Sequence, residues 1–266
     1  ETKRRGAAFT EALFAQAKSS LKRVTDGEAY QPTAGEGASI AFSCIVDAKR
    51  INASCDSKEA LDSEIDNLFL KARYLPREQE EPFAPNEAFP KVSLSPELLY
   101  DAETAEMDDE RLIDVIGRVN AVVESAGFVF DGVIAQDVSE LTFANSAGTL
   151  QAYKSTGARL SIFGFDPKDR SISAYRTVAG KALSQFPIEE LAADVAGKLA
   201  IQRDYLGRHG GRRINPFGGK PGPQRLDVIM EPSCWAGLLA IFSGQAEAWN
   251  AKAYHDNTSF FSGKLG

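Results

Sequence analysis

Histidine is nearly absent: the 266 residues contain only His209 and His255, which leaves little material for an imidazole metal site or a histidine base. Cysteine is scarce too. Cys44, Cys55 and Cys234 are odd in number and show no Cys-x-x-Cys spacing, which argues against a disulfide framework and a cysteine zinc site. Cys44 in an alternating pattern and Cys234 at a helix start read as small buried hydrophobes. No apolar run reaches the length of a membrane span. The N-terminal Glu-Thr-Lys-Arg-Arg leads into an amphipathic pattern and not an unbroken apolar core, so no signal peptide is expected and a cytoplasmic location is. A surplus of basic charge is missing as well. The net charge is −7, which argues against nucleic acid as the main partner, and the one basic cluster (Arg208, Arg212, Arg213, Lys220) lies among glycines as a solvated linker.

What is present is ordinary globular material, 43% hydrophobic and 25% charged, in a chain long enough for one large or two ordinary domains. Phe9, Leu13, Ala17 and Leu21 recur every four residues and predict a helix over about 8–22. Residues 26–37, rich in Gly, Pro, Thr and Asp, predict loop or weak strand. Ile40, Phe42, Cys44 and Val46 alternate with their neighbours as a strand does. Asp47-Ala-Lys is a turn signal, and Ile51, Ala53 and Cys55 continue as a second strand. Asp56 or Ser57 can cap a helix with Leu61, Ile65, Leu68 and Ala72 on one face.

Five prolines and an acidic run mark 75–108 as a surface connector. A second module follows: a helix over about 109–125, then strands near 128–135, 138–144, 149–156, 158–165 and 171–178. A helix begun by Pro187 closes it, with Glu189 and Glu190 at its positive end. Helix, antiparallel meander and helix thus recur, over about 8–74 and 109–203. The expected fold class is α+β, antiparallel sheets covered by helices, since strands joined by short turns cannot be parallel. Residues 1–205 form the main domain, 206–224 a glycine-rich linker, and 225–266 a strand at Leu226–Met230 with a helix over about 232–246.

Several chemistries find no footing. Ser146 and Ser259 have no assignable histidine base, and Gly-x-Ser-x-Gly is absent. Gly218-Gly-Lys220 fails the phosphate-loop spacing and is followed by Pro221. Asn145-Ser-Ala-Gly148 has the chemistry of a hairpin turn and is also a candidate peptide contact.

The order Leu226–Met230 strand, Pro232–Ala246 helix and Thr258-Ser-Phe-Phe-Ser-Gly-Lys-Leu-Gly266 resembles the TldD/PmbA family. So do the Asn145–Gly148 hairpin with its trailing Ser155 and Thr156, the Ser173-Ala-Tyr segment and the Ile40–Asp56 hairpin before a helix. The resemblance implies an N-terminal α+β domain followed by a C-terminal domain of which 225–266 is the start, the remainder being expected to be absent. It also implies zinc peptidases (TldD) paired with metal-free subunits (PmbA or TldE), under the label "modulator of DNA gyrase". In the TldD branch the helix carries His-Glu-x-x-x-His. Here it reads Leu238-Leu-Ala-Ile-Phe-Ser-Gly-Gln-Ala-Glu247, with Glu247 the one credible ligand, so the resemblance is to the metal-free branch. No cofactor is expected in this chain, and zinc only in a TldD-like partner. The expected role is to hold a peptide or complete a heterodimeric peptidase. The alternatives are an enzyme with its own non-zinc chemistry and a non-catalytic scaffold or regulatory protein. Trp235, Phe242, Trp249 and Phe260 are candidate contacts with peptide or partner, as are His255 and Ser259, and a dimer with itself or a TldD-like subunit is expected.

Overall fold

The computed structural model describes residues 2–76, 87–90, 95–211 and 230–244. Contacts divide the chain into two units, Glu1–Arg203 and Asp204–Gly266. The first is an α+β unit built on one six-stranded antiparallel sheet. Its strands are β1 (Phe9–Thr25), β2 (Glu28–Val46), β3 (Lys49–Cys55), β4 (Val129–Asn145), β5 (Leu150–Phe165) and β6 (Ser173–Gly180), in the order β3-β2-β1-β4-β5-β6. Two three-stranded meanders therefore meet at β1 and β4. A helix follows each, α1 (Lys58–Tyr74) after β3 and, after a single 3-10 turn, α5 (Ile188–Arg208) after β6. Two short helices, α2 (Pro96–Leu99) and α3 (Ala102–Ala105), and a long one, α4 (Asp109–Ser125), lie between the meanders.

The expected helix over 8–22 is a strand. Its apolar positions 9, 13, 17 and 21 are spaced by four, an even number, so they share one face of a strand as readily as of a helix. Pairing decides between the two: β1 bonds to β2 from Phe9 to Thr25 and to β4 from Glu11 to Val24, and so lies at the centre of the sheet. The duplicated plan is consequently meander then helix, with α4 as an addition before the second copy.

The expected loop over 26–37 belongs to β2. Gly35 and Gly37 pair Ser19 and Ala17. Proline, which donates no backbone bond, falls where the register slips: Leu21 pairs Thr33 and Arg23 pairs Tyr30, leaving Gln31 and Pro32 opposite Lys22 as a bulge. The two expected breaks in the second meander are not breaks either. Asp137 and Gly157 pair within continuous β4 and β5, and the Asp137 carboxylate occupies the space a Cβ at Gly157 would need, at 2.4 Å.

Other expectations hold. Ser57 caps α1 by accepting from the Ala60 N–H, and Asp47 and Ala48 make the β2–β3 turn with positive φ. Pro187 immediately precedes α5, and α4 spans 109–125 as expected. The connector carries α2 and α3 among its described residues.

The helices cover one face of the sheet. Against it α1 buries Ile65, Leu68 and Ala72 on Phe42, Cys44 and Ile51. Fully buried Phe130, Ile134 and Ile162 lie on the same face by register, and Leu112, Val119 and Val123 of α4 and Val195 and Leu199 of α5 are fully buried too. Gly164 lets α5 approach closely: a Cβ there would stand 2.5 Å from Val195 and 2.9 Å from Leu199. The buried Lys22 ammonium reaches Asp109 of α4 at 2.5 Å, tying the helix to β1.

In the second unit, α6 (Pro232–Gly244) is helical where expected. The expected strand at 226–230 lies outside the described residues except for Met230, which is not in a strand. Cys234 is exposed, contrary to its reading as a buried hydrophobe, whereas Cys44 is buried and burial pushes its thiol up.

Candidate functional site

The Asn145–Thr149 turn is the first candidate, and its side chains work for the fold. Asn145 N–H donates to the Thr149 carbonyl at 3.0 Å, closing a three-residue connection, and Gly148 takes φ +101°, a left-handed conformation that favours glycine. Asn145 Oδ1 accepts from the N–H groups of Ala147 (3.1 Å) and Thr149 (2.9 Å). Ser146 prolongs the β1–β4 ladder: its N–H donates to the Thr10 carbonyl at 2.8 Å, and its Oγ accepts from the Thr10 N–H at 3.0 Å, standing in for a backbone carbonyl. Thr149 Oγ1 accepts from the Phe89 N–H at 2.8 Å. The acceptor atoms of Asn145 and Ser146 that could meet a peptide are thus already engaged.

The remaining candidates belong to the second unit. Trp235 stands exposed on α6 with exposed Leu239 one turn on, and Ile241 is exposed on another side of the helix. Phe242 is in α6 by its backbone, its side chain lying outside the described residues. Trp249, His255, Ser259 and Phe260 lie outside the described residues altogether. His209 stacks on Tyr205, ring centroids 4.1 Å apart, and its Nδ1 sits 2.8 Å from the Tyr205 carbonyl oxygen just past the end of α5. No group of three or more His, Cys, Asp or Glu among the described residues could hold a metal ion. The donors that a zinc site requires are not assembled there.

The sheet face opposite the helices holds what residue patterns did not reveal. A groove of 520 Å³ opens on it, lined by Arg23 and Tyr30 on β1 and β2, Asp131 and Val133 on β4, Arg159, Ser161 and Phe163 on β5, and Tyr175 on β6. Register explains the gathering: Arg23 pairs Val133, Val133 pairs Ser161, Asp131 pairs Phe163, and Phe163 pairs Tyr175, so alternate residues of four strands share one surface. The Tyr175 hydroxyl donates to Ser161 Oγ at 3.4 Å, and Ser161 and Thr177 hydroxyls are 3.0 Å apart. Asp131 Oδ1 accepts from the Asp26 N–H at 2.9 Å, fixing the β1–β2 turn. Only the pairing of β1 with β4, a non-local fact, puts Arg23 here.

Neither a family profile nor a curated protein matches this chain. Solved structures do match. A Bacteroides thetaiotaomicron protein, a candidate modulator of DNA gyrase, superposes with TM-score 0.71 at 18% identity over 99% of this chain and 58% of its own. TldE from Thermococcus kodakarensis gives 0.65 at 15% identity over 75% of this chain and 45% of its own. A Thermotoga maritima protein, likewise a candidate gyrase modulator, gives 0.64 at 12% identity over 75% and 45%. The chain shares their fold. It spans about half the length of these proteins.

Proposed function

We propose that this chain is a TldD/PmbA-type protein of the metal-free, TldE-like branch, a cytoplasmic subunit that holds an extended peptide while a TldD-like partner supplies the zinc. The observation that carries this reading is the fold likeness to TldE and to the two candidate gyrase modulators, one of which spans 99% of this chain. The donor set supports the metal-free side of it. A zinc hydrolase needs ligands that hold the ion and leave one position open for water. The described part of α6 offers a single thiol, Cys234, and His209 lies against Tyr205, so no chemical step is assigned to a metal in this chain.

Peptide holding is supported by the sheet itself. Among the described residues of the first unit no helix covers its groove-bearing face, and β2 from Glu28 to Ser39 has β1 on one side and no described strand on the other. An extended peptide can add to such an edge through backbone bonds, with side-chain pockets supplying selectivity. Association is supported by α6, where Trp235 and Leu239 are exposed one turn apart on the same side: large apolar side chains of this kind anchor interfaces. The partner this favours is a TldD-like subunit, a second copy being the other arm of the test.

The test is co-expression with a His-Glu-x-x-x-His peptidase of the TldD type, followed by affinity purification, light scattering and elemental analysis. A stoichiometric heterodimer is expected, with zinc in the partner and well below one equivalent in this chain purified alone. Stoichiometric zinc in the isolated chain after dialysis overturns the metal-free assignment. A homodimer that ignores the partner overturns the heterodimer.

A further inference from the structure

We propose that Arg23 and Arg159 form a carboxylate-binding site on the sheet face opposite α1, α4 and α5, and that its ligand is the free terminal carboxylate of a peptide. The choice of a peptide rests on the reading above; the anion site rests on geometry. Arg23 pairs Val133 and Arg159 pairs Ala135, so the two arginines flank β4 two residues apart on one face and line one groove. Several arginines of this unit face carboxylates, as in Arg50–Glu11, Arg118–Glu189, Arg176–Asp194 and Arg203–Asp166. Arg4, Arg23, Arg73 and Arg159 have no such partner among the described residues, and of these four Arg23 and Arg159 line the groove.

The single carboxylate lining the groove, Asp131, is bonded through Oδ1 to the Asp26 backbone, and Asp26 is itself paired with Arg170 at 3.0 Å. Two guanidinium groups against one carboxylate leave a surplus of one positive charge. That balance matches one monoanion. A phosphate polymer would call for a longer run of cations, and the whole chain carries a net charge of −7. The guanidinium fork matches a carboxylate with two parallel N–H···O bonds, and Tyr30, Ser161 and Tyr175 bring hydroxyls to the same walls. Phe163 and Val133 add apolar surface beside them, so the groove suits an anion attached to an apolar body. Its 520 Å³ falls within the range of small-ligand pockets, enough for a peptide's last few residues and not for a folded partner.

The experiment uses the full chain, isotope-labelled, and two probes: N-acetyl-tetra-alanine with a free C-terminus and the same peptide with a C-terminal amide. Backbone amide shifts of Val133, Ser161 and Tyr175 report binding. The acid is expected to shift them and to bind about ten-fold more tightly than the amide. Arg23→Gln and Arg159→Gln, both exposed positions, should each erase most of that difference while leaving the melting temperature unchanged. Equal binding of acid and amide overturns the carboxylate site and leaves peptide holding standing. Binding of neither overturns both. Inorganic phosphate shifting the same amides, dependent on both arginines, where neither peptide does so, overturns the peptide as ligand.

Discussion

Gly164→Ala should destabilise the protein although alanine is the better strand residue. In isolation the change gains about 0.5–1 kcal/mol, because alanine loses less backbone freedom on folding. Here the new methyl would stand 2.5 Å from Val195 Cγ1 and 2.9 Å from Leu199 Cδ1. Both are fully buried residues of α5, and β-branched Val195 is stiff at χ1, so the clash is relieved by moving α5 off β5. Overpacking of this kind costs about 1–3 kcal/mol, and two contacts this short point to the upper part of that range. The net loss is then about 1.5 kcal/mol, or roughly 3–6 °C in melting temperature for a domain of this size. Gly197→Ala is the matched control. It lies on the exposed side of the same helix, nothing stands within 4 Å of its would-be Cβ, and the substitution should stabilise α5 by about 0.5–1 kcal/mol. Urea denaturation with a common slope compares the two. A Gly164→Ala variant as stable as Gly197→Ala would refute the close approach of α5 to β5.

Gly148 holds φ +101°, so Gly148→Val should lose about 1 kcal/mol or more although a Cβ there would meet only Ala88 at an ordinary 3.8 Å, and an unchanged urea midpoint would contradict that backbone conformation. Asp166 predicts acid sensitivity. Burial opposes its charge, but the Lys168 N–H and the Arg203 guanidinium outweigh burial and hold the carboxyl below its ordinary value. With the folded pKa below the unfolded one, the contribution is complete above about pH 4 and is lost as pH falls through the folded value. Asp166→Asn should therefore cost stability at pH 7 and progressively less towards pH 2. A stability difference independent of pH would show that the carboxylate's charge does not matter.

The long helices α1, α4 and α5 were legible because their signals are local. Ser57 caps α1, acidic residues open α4 and α5, and each apolar stripe repeats at helical spacing. The β2–β3 turn was legible in Asp47 and Ala48, and the β4–β5 turn in Asn145 and Gly148, because turn chemistry is local too. β1 was not: spacing by four fits both periods, and only two flanking partners select the strand. The first half of β2 was hidden by glycine and proline, which a bulge and an open edge tolerate. Asp137 and Gly157 looked like breaks because each disfavours strands alone, whereas paired they fit one another. The groove was illegible for the same reason as β1. Arg23 reaches Val133 only through a pairing between residues more than a hundred positions apart, and no local pattern encodes that.

Peptide cleavage measured with three samples tests the central claim most directly: this chain alone, a zinc-bearing TldD-like partner alone, and the two together. The account predicts no cleavage by the chain, and a kcat/KM for the mixture at least ten-fold above that of the partner alone, abolished by chelator. Cleavage by the isolated chain in chelator, or a partner equally active without it, would contradict the account.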